Sequence, residues 1–140
     1  MSGAPDSIDW KSLRESAGPY PMEAFVFVQE GLAHTAERVR EESLGLGMAP
    51  PDSRHVTGQQ LCMGLRAFAI ERYGMLAPAV LRHWQVTRTE DFGRIVYAMI
   101  EAGLMSKTAD DSFSDFCGVY DFAEAFSEPQ MAERIGLPSN

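Results

Sequence analysis

The sequence has few of the features by which a small protein announces its chemistry. It carries two cysteines in 140 residues, Cys62 and Cys117, and they do not form a CxxC pair. Both sit among apolar neighbours, so two buried thiols in a reducing compartment are expected rather than a disulfide or a redox pair. No apolar run approaches the roughly 20 residues that cross a bilayer. The opening "MSGAPDSIDWKSLRES" has acids where a secretory leader would carry basic and then apolar residues. A cytoplasmic protein with no membrane role is expected.

Basic charge is scarce as well. Twelve Lys and Arg stand against twenty Asp and Glu, a net charge of −8. The middle of the chain is mildly positive between acidic ends, and those ends would repel a polyanion, so charge disfavours nucleic acid as a partner.

Catalytic signatures are missing too. There is no GxSxG, no P-loop and no GxGxxG, and the glycines of "GLGMAPP" run into prolines rather than a phosphate cradle. His34, His55 and His83 lie far apart with no second ligand at helical spacing. Asp110, Asp111 and Asp115 lack the alternating oxygen ligands and closing glutamate of a calcium loop. No catalytic residue, metal ligand or cofactor is expected.

What is present is 45% apolar residues, enough for one core. Residues 1–19 read as a flexible arm anchored by Trp10, 20–128 as a single mainly helical domain, and 129–140 as a tail. A first helix runs from Pro21 to about Glu42, with Phe25, Val28 and Leu32 at helical spacing. The loop from Leu44 to Arg54 ends it. Thr57 and Gln60 have the spacing of a capping box for a second helix that stops at Gly74. Leu76, Val80, Leu81 and Trp84 fit a short third helix with Pro78 in its first turn.

The strongest local pattern is "TRTEDFGRIVYAMIEAGL". Thr87 or Thr89 caps the fourth helix, Glu90 and Asp91 complement its dipole, and Phe92, Ile95, Val96, Met99 and Ile100 form the buried stripe. Gly103 then takes the left-handed position, with Leu104 folding back. Beyond it, "LMSKT" and "FSDFCGVYDF" read as a β-hairpin around "ADDS", with an extended packing arm as the alternative for the second segment. "FAEAF" and "PQMAERIGL" add short helical turns. The expected fold is mainly α, a small helical domain with a short β-hairpin in a winged-helix-like order.

The segments "YPMEAFVFVQEGL", "HVTGQQLCMGLR", "YGMLAPAVL", "TEDFGRIVYAMIEAGLMSKT" and "DFCGVYDFAEAF" together resemble a bacterial family of planctomycetes, verrucomicrobia and relatives, over about Tyr20 to Phe126. The resemblance implies no activity or ligand, because none is established for that family.

Two clusters stand out as candidate sites. Arg82, His83, Arg88 and Arg94 surround the start of the fourth helix, where free backbone donors favour an anion. A winged helix reads DNA with such a helix, but Glu90 and Asp91 share its first turn, and Asp110 and Asp111 occupy the tip of the expected hairpin. Negative charge at both contact points points to a protein partner. The second cluster is Phe113, Phe116, Tyr120, Phe122 and Phe126 with Asp115, Asp121 and Glu124. Its rings should close over the core and leave the aspartates wet, with an acidic aromatic surface for a basic partner as the alternative.

The functional expectation is a protein-interaction or adaptor module. The runner-up is a nucleic-acid-binding regulator acting through the fourth helix, and the third reading is a ligand pocket or enzyme around His55, His83 and Arg82. The "FVFV" run, apolar on more than one face, adds the expectation of a homodimer through the first helix.

Overall fold

The computed structural model describes residues 2–3, 11, 13, 15, 18–45 and 55–136. Trp10 and most of the loop expected before Arg54 lie outside the described residues. The elements are β1 (Ser2–Gly3), α1 (Met22–Gly45), α2 (Gly58–Tyr73), a 3-10 turn (Gly74–Leu76), α3 (Ala77–His83), α4 (Thr89–Glu101), β2 (Met105–Ser106), a second 3-10 turn (Phe113–Phe116), α5 (Phe122–Ala125) and α6 (Glu128–Ile135). The domain is mainly helical with one short β pair, as the sequence implies.

α1 is the spine. Pro21 precedes it and accepts the Ala24 N–H at 3.0 Å. Ala24, Phe25, Phe27, Val28 and Leu32 are all buried, so both apolar faces of the "FVFV" run are used within this one chain. α2 crosses α1 closely at Gly31 and Gly64, where a β-carbon on Gly64 would overlap the Thr35 side chain. Thr35 is itself buried, its hydroxyl donating to the Gly31 carbonyl at 2.7 Å. The expected capping box opens α2: Thr57 Oγ1 accepts the Gln60 N–H at 3.1 Å and Gln60 Oε1 accepts the Thr57 N–H at 2.9 Å.

α4 lies against α1 and buries Phe92, Ile95, Val96 and Met99. Its closing motif is the expected one, with Gly103 at φ 78° and the Leu104 N–H reaching back to the Met99 carbonyl at 2.8 Å. Its opening differs. The cap position is Arg88, and neither Thr87 nor Thr89 supplies the cap hydrogen bond. Asp91 instead reaches back from the first turn, accepting the N–H groups of Thr87 at 2.9 Å and Arg88 at 3.3 Å just before the helix.

β2 forms where the periodicity changes, but it pairs antiparallel with β1, Ser2 opposite Ser106 and Gly3 opposite Met105. The segment from Phe113 onward is the packing arm rather than the second strand. Phe113 and Phe116, three apart, fit the three-residue repeat of a 3-10 turn and meet α4 together. A β-carbon at Gly93 would lie 2.9 Å from Phe116 and 3.0 Å from Phe113. At the N-terminal end, the β1 pairing and the fully buried Leu13 show that these parts of the expected arm are docked. At the other end, most of the expected tail is α6, held by the buried Met131.

Candidate functional site

The six residues expected to form a site have different surroundings. Arg82 and His83 are exposed on the last turn of α3, and Arg88 is exposed at the cap of α4. Arg94 is tied down: its Nη1 donates to Asp91 Oδ1 at 2.8 Å. The Tyr20 hydroxyl donates to the same carboxylate oxygen. Burial works against the charge on Asp91, but Tyr20, the Thr87 N–H and Arg94 together hold its carboxyl below the usual range. Tyr20 is the counterpart, its phenol pushed up to about 12 by burial and by the Asp91 charge it donates to. This cluster closes the α1–α4 contact, so Arg94 belongs to it and not to an open anion site.

Asp110 is exposed, as expected of a turn tip, but Asp111 is not: it is 6% accessible, accepts the Thr108 N–H at 2.9 Å and lies 3.5 Å from His55 Nε2. The reading of Asp111 as a wet aspartate is therefore corrected, because an unmated N–H in a tight turn recruits the nearest carboxylate. Asp115 and Asp121 act alike, accepting from the N–H groups of Ser112 and Glu124, each at 3.1 Å. The acidic string is a series of local backbone acceptors. Among the described residues no group of three or more His, Cys, Asp or Glu is placed to hold a metal ion.

The aromatic half of the string packs on the core except for Phe113, which is 38% accessible against the expectation of a buried ring. Phe116 and Phe126 are buried, Phe122 packs on Phe92 at 5.8 Å between ring centroids, and the Tyr120 hydroxyl donates to the Cys62 carbonyl at 2.9 Å. Thr89 fastens this arm to α4: fully buried, it donates to the Phe116 carbonyl at 2.7 Å and accepts the Val119 N–H at 3.2 Å. The arm thus covers part of α4 that a groove-reading helix would need open. Of the cysteines, Cys62 is buried, with its thiol pushed up to about 12 by burial, whereas Cys117 is exposed, against the expectation of two buried thiols.

An apolar hollow lies elsewhere. A groove of about 420 Å³ runs between the start of α1 and the end of α2, floored by Phe27, Tyr73 and Trp84 and edged by Met22, Val26, Glu23 and Arg72. Its floor is a packed aromatic set, with Phe27 5.4 Å from Trp84 and Tyr73 5.9 Å from Trp84. Val26 is 36% accessible on a helix whose neighbouring apolar residues are buried. Arg72 is fixed at the edge by Glu30 at 2.6 Å and lies over the Phe68 ring at 4.9 Å. Sequence reasoning missed this groove. Its signal was the row Met22, Val26, Glu30, four apart, which sets two apolar residues and an acid on one face of α1.

Three open hollows also border α2, one of them beside the arm at Met63, Arg66 and Tyr120. None includes the grouping of His55, His83 and Arg82 considered for a ligand site. Compared with known protein families, with curated proteins and with solved structures, the chain finds no match.

Proposed function

We propose that the protein is a cytoplasmic protein-interaction module whose docking site is the groove between α1 and α2. The observation that carries this reading is the aromatic floor of Phe27, Tyr73 and Trp84 under an exposed Val26, edged by the Glu23 carboxylate and by Arg72 in its ion pair with Glu30. An apolar hollow with rigid aromatic walls is the kind of place where one anchoring side chain supplies most of a binding energy. Glu23, the edge carboxylate not engaged by Arg72, and a net charge of −8 favour as partner a peptide segment carrying a large apolar residue next to Lys or Arg. Two unpaired cysteines and no described helix long and apolar enough to cross a membrane support the location.

The nucleic-acid alternative has less support. Arg94 is occupied by Asp91, and Thr89 and the arm cover part of α4. A homodimer would have Val26 as its one exposed apolar contact from the "FVFV" run, and in this reading it competes for the same groove.

Panning a displayed library of random peptides against the full chain tests the proposal. Enriched peptides should share an apolar anchor beside a basic residue, and should lose at least tenfold in affinity on Val26→Glu while the melting temperature stays unchanged. Peptides that bind Val26→Glu as well as wild type, or no enrichment, would overturn it.

A further inference from the structure

α6 brings one arginine, Arg134, into the angle between α1 and α2. Two open hollows of about 330 and 520 Å³ meet there, and Arg38 of α1 and Arg134 line both. Arg66 of α2 stands close by, its Nε held at 3.0 Å on the Ala125 carbonyl. Three guanidiniums from three elements therefore share one side of an acidic protein.

The other described arginines divide: three are paired with a carboxylate, whereas Arg82 and Arg88, exposed at the end of α3 and the start of α4, are not. Arg40 lies 3.9 Å from Glu37, Arg72 pairs with Glu30 and Arg94 with Asp91. Arg38, Arg66 and Arg134 have no carboxylate within 4.0 Å among the described residues. Glu42 and Glu71 also line the hollows, but Glu71 is drawn to His34 at 3.6 Å. Asp121 and Glu124 line the hollow beside Arg66 in the same way, but none of these carboxylates comes within 4.0 Å of the three guanidiniums, and like charges held together without a carboxylate in contact cost stability unless something else gains from them. The nearness of the three acts on Arg134, whose proton affinity is lowered by partial desolvation and by the charges of Arg66 and Arg38. Gln60 adds donors: it lines the smaller hollow, and with its Oε1 committed to the Thr57 N–H its amide NH₂ remains.

We infer that Arg38, Arg66 and Arg134 form a binding site for a phosphate chain of two or more phosphates, either free or as part of a nucleotide. A multivalent anion fits because a single charge would contact one guanidinium and leave the other two without an anion in contact. Guanidinium forks match phosphate oxygens two at a time, and the paired hollows give room for more than one phosphate. This site shares no lining residue with the aromatic groove, so either can fail alone.

Calorimetric titration of the full chain with tripolyphosphate, with ATP and with sulfate at matched ionic strength tests the inference. Wild type should give saturable binding of tripolyphosphate that weakens at least tenfold in Arg38→Ala/Arg134→Ala; both residues are exposed, so melting without ligand should hold steady or rise. Equal affinity for tripolyphosphate and ATP would assign recognition to the phosphates alone, and tighter ATP binding would place the nucleoside in a hollow. Absence of saturable binding, or affinity within twofold of wild type in the double variant, or binding no stronger than that of sulfate, would overturn it.

Discussion

Asp91 and Tyr20 set opposite ends of the pH range over which the α1–α4 contact holds. The folded-state pKa of Asp91 is lowered, so its contribution is present above the unfolded carboxylate value of about 3.9 and is lost as pH falls through the lower folded value. Tyr20 is raised from 10.0 to about 12, so its contribution is full below pH 10 and fades as pH rises toward 12. Melting temperature against pH should therefore decline at both ends, and Tyr20→Phe should flatten the alkaline decline; an unchanged alkaline limb would place the titrating group elsewhere. Thr89→Val removes a buried donor and acceptor at once, leaving the Phe116 carbonyl and Val119 N–H unmated, and should cost about 1–3 kcal/mol in denaturant unfolding. Tyr97 is the opposite case. Its hydroxyl is buried without a partner, so Tyr97→Phe should be neutral or stabilising in the same assay. Sequence made Thr89 look like a cap because its partners, 27 and 30 residues away, leave no local pattern.

At the scale of elements, what sequence could specify was what neighbouring residues decide. The Thr57–Gln60 box and the Gly103 stop both close within one turn and were legible as written. The arm was legible only as one of two alternatives, because what decides it is the fit of Phe113 and Phe116, in a 3-10 turn, against Gly93 of α4. The partner of β2 was not legible, since β1 lies a hundred residues away. The α1–α2 crossing makes a sharp prediction: Gly64→Ala forces a methyl into the stiff, buried Thr35 and should destabilise by about 1–3 kcal/mol, read by chemical unfolding. Gln85 offers the converse. It sits at φ 64° after α3, with the Val86 N–H on the Leu81 carbonyl at 2.9 Å, the place where glycine is usual. Gln85→Gly should raise stability by up to about 1 kcal/mol, and a lower melting temperature would mean that the side chain contributes a contact of its own.

At the scale of the whole molecule, the acids that dominate the composition do not make one acidic face. The acidic string that dominates the sequence is spent on local backbone hydrogen bonds, and the rings between its aspartates are largely core. The groove proposed as the docking site is assembled from residues as far apart as Met22 and Trp84. Composition pointed toward a protein partner but could not locate this groove, because Tyr73 and Trp84 end two different helices and meet Phe27 only in the folded chain. The most direct test is amide and indole chemical-shift mapping on the full chain, titrated with a peptide selected for an apolar anchor beside a basic residue. The account predicts the largest shifts at Met22, Val26, Tyr73 and the Trp84 indole. Shifts concentrated on Phe113 to Phe126 instead would contradict it and place the interaction surface on the arm.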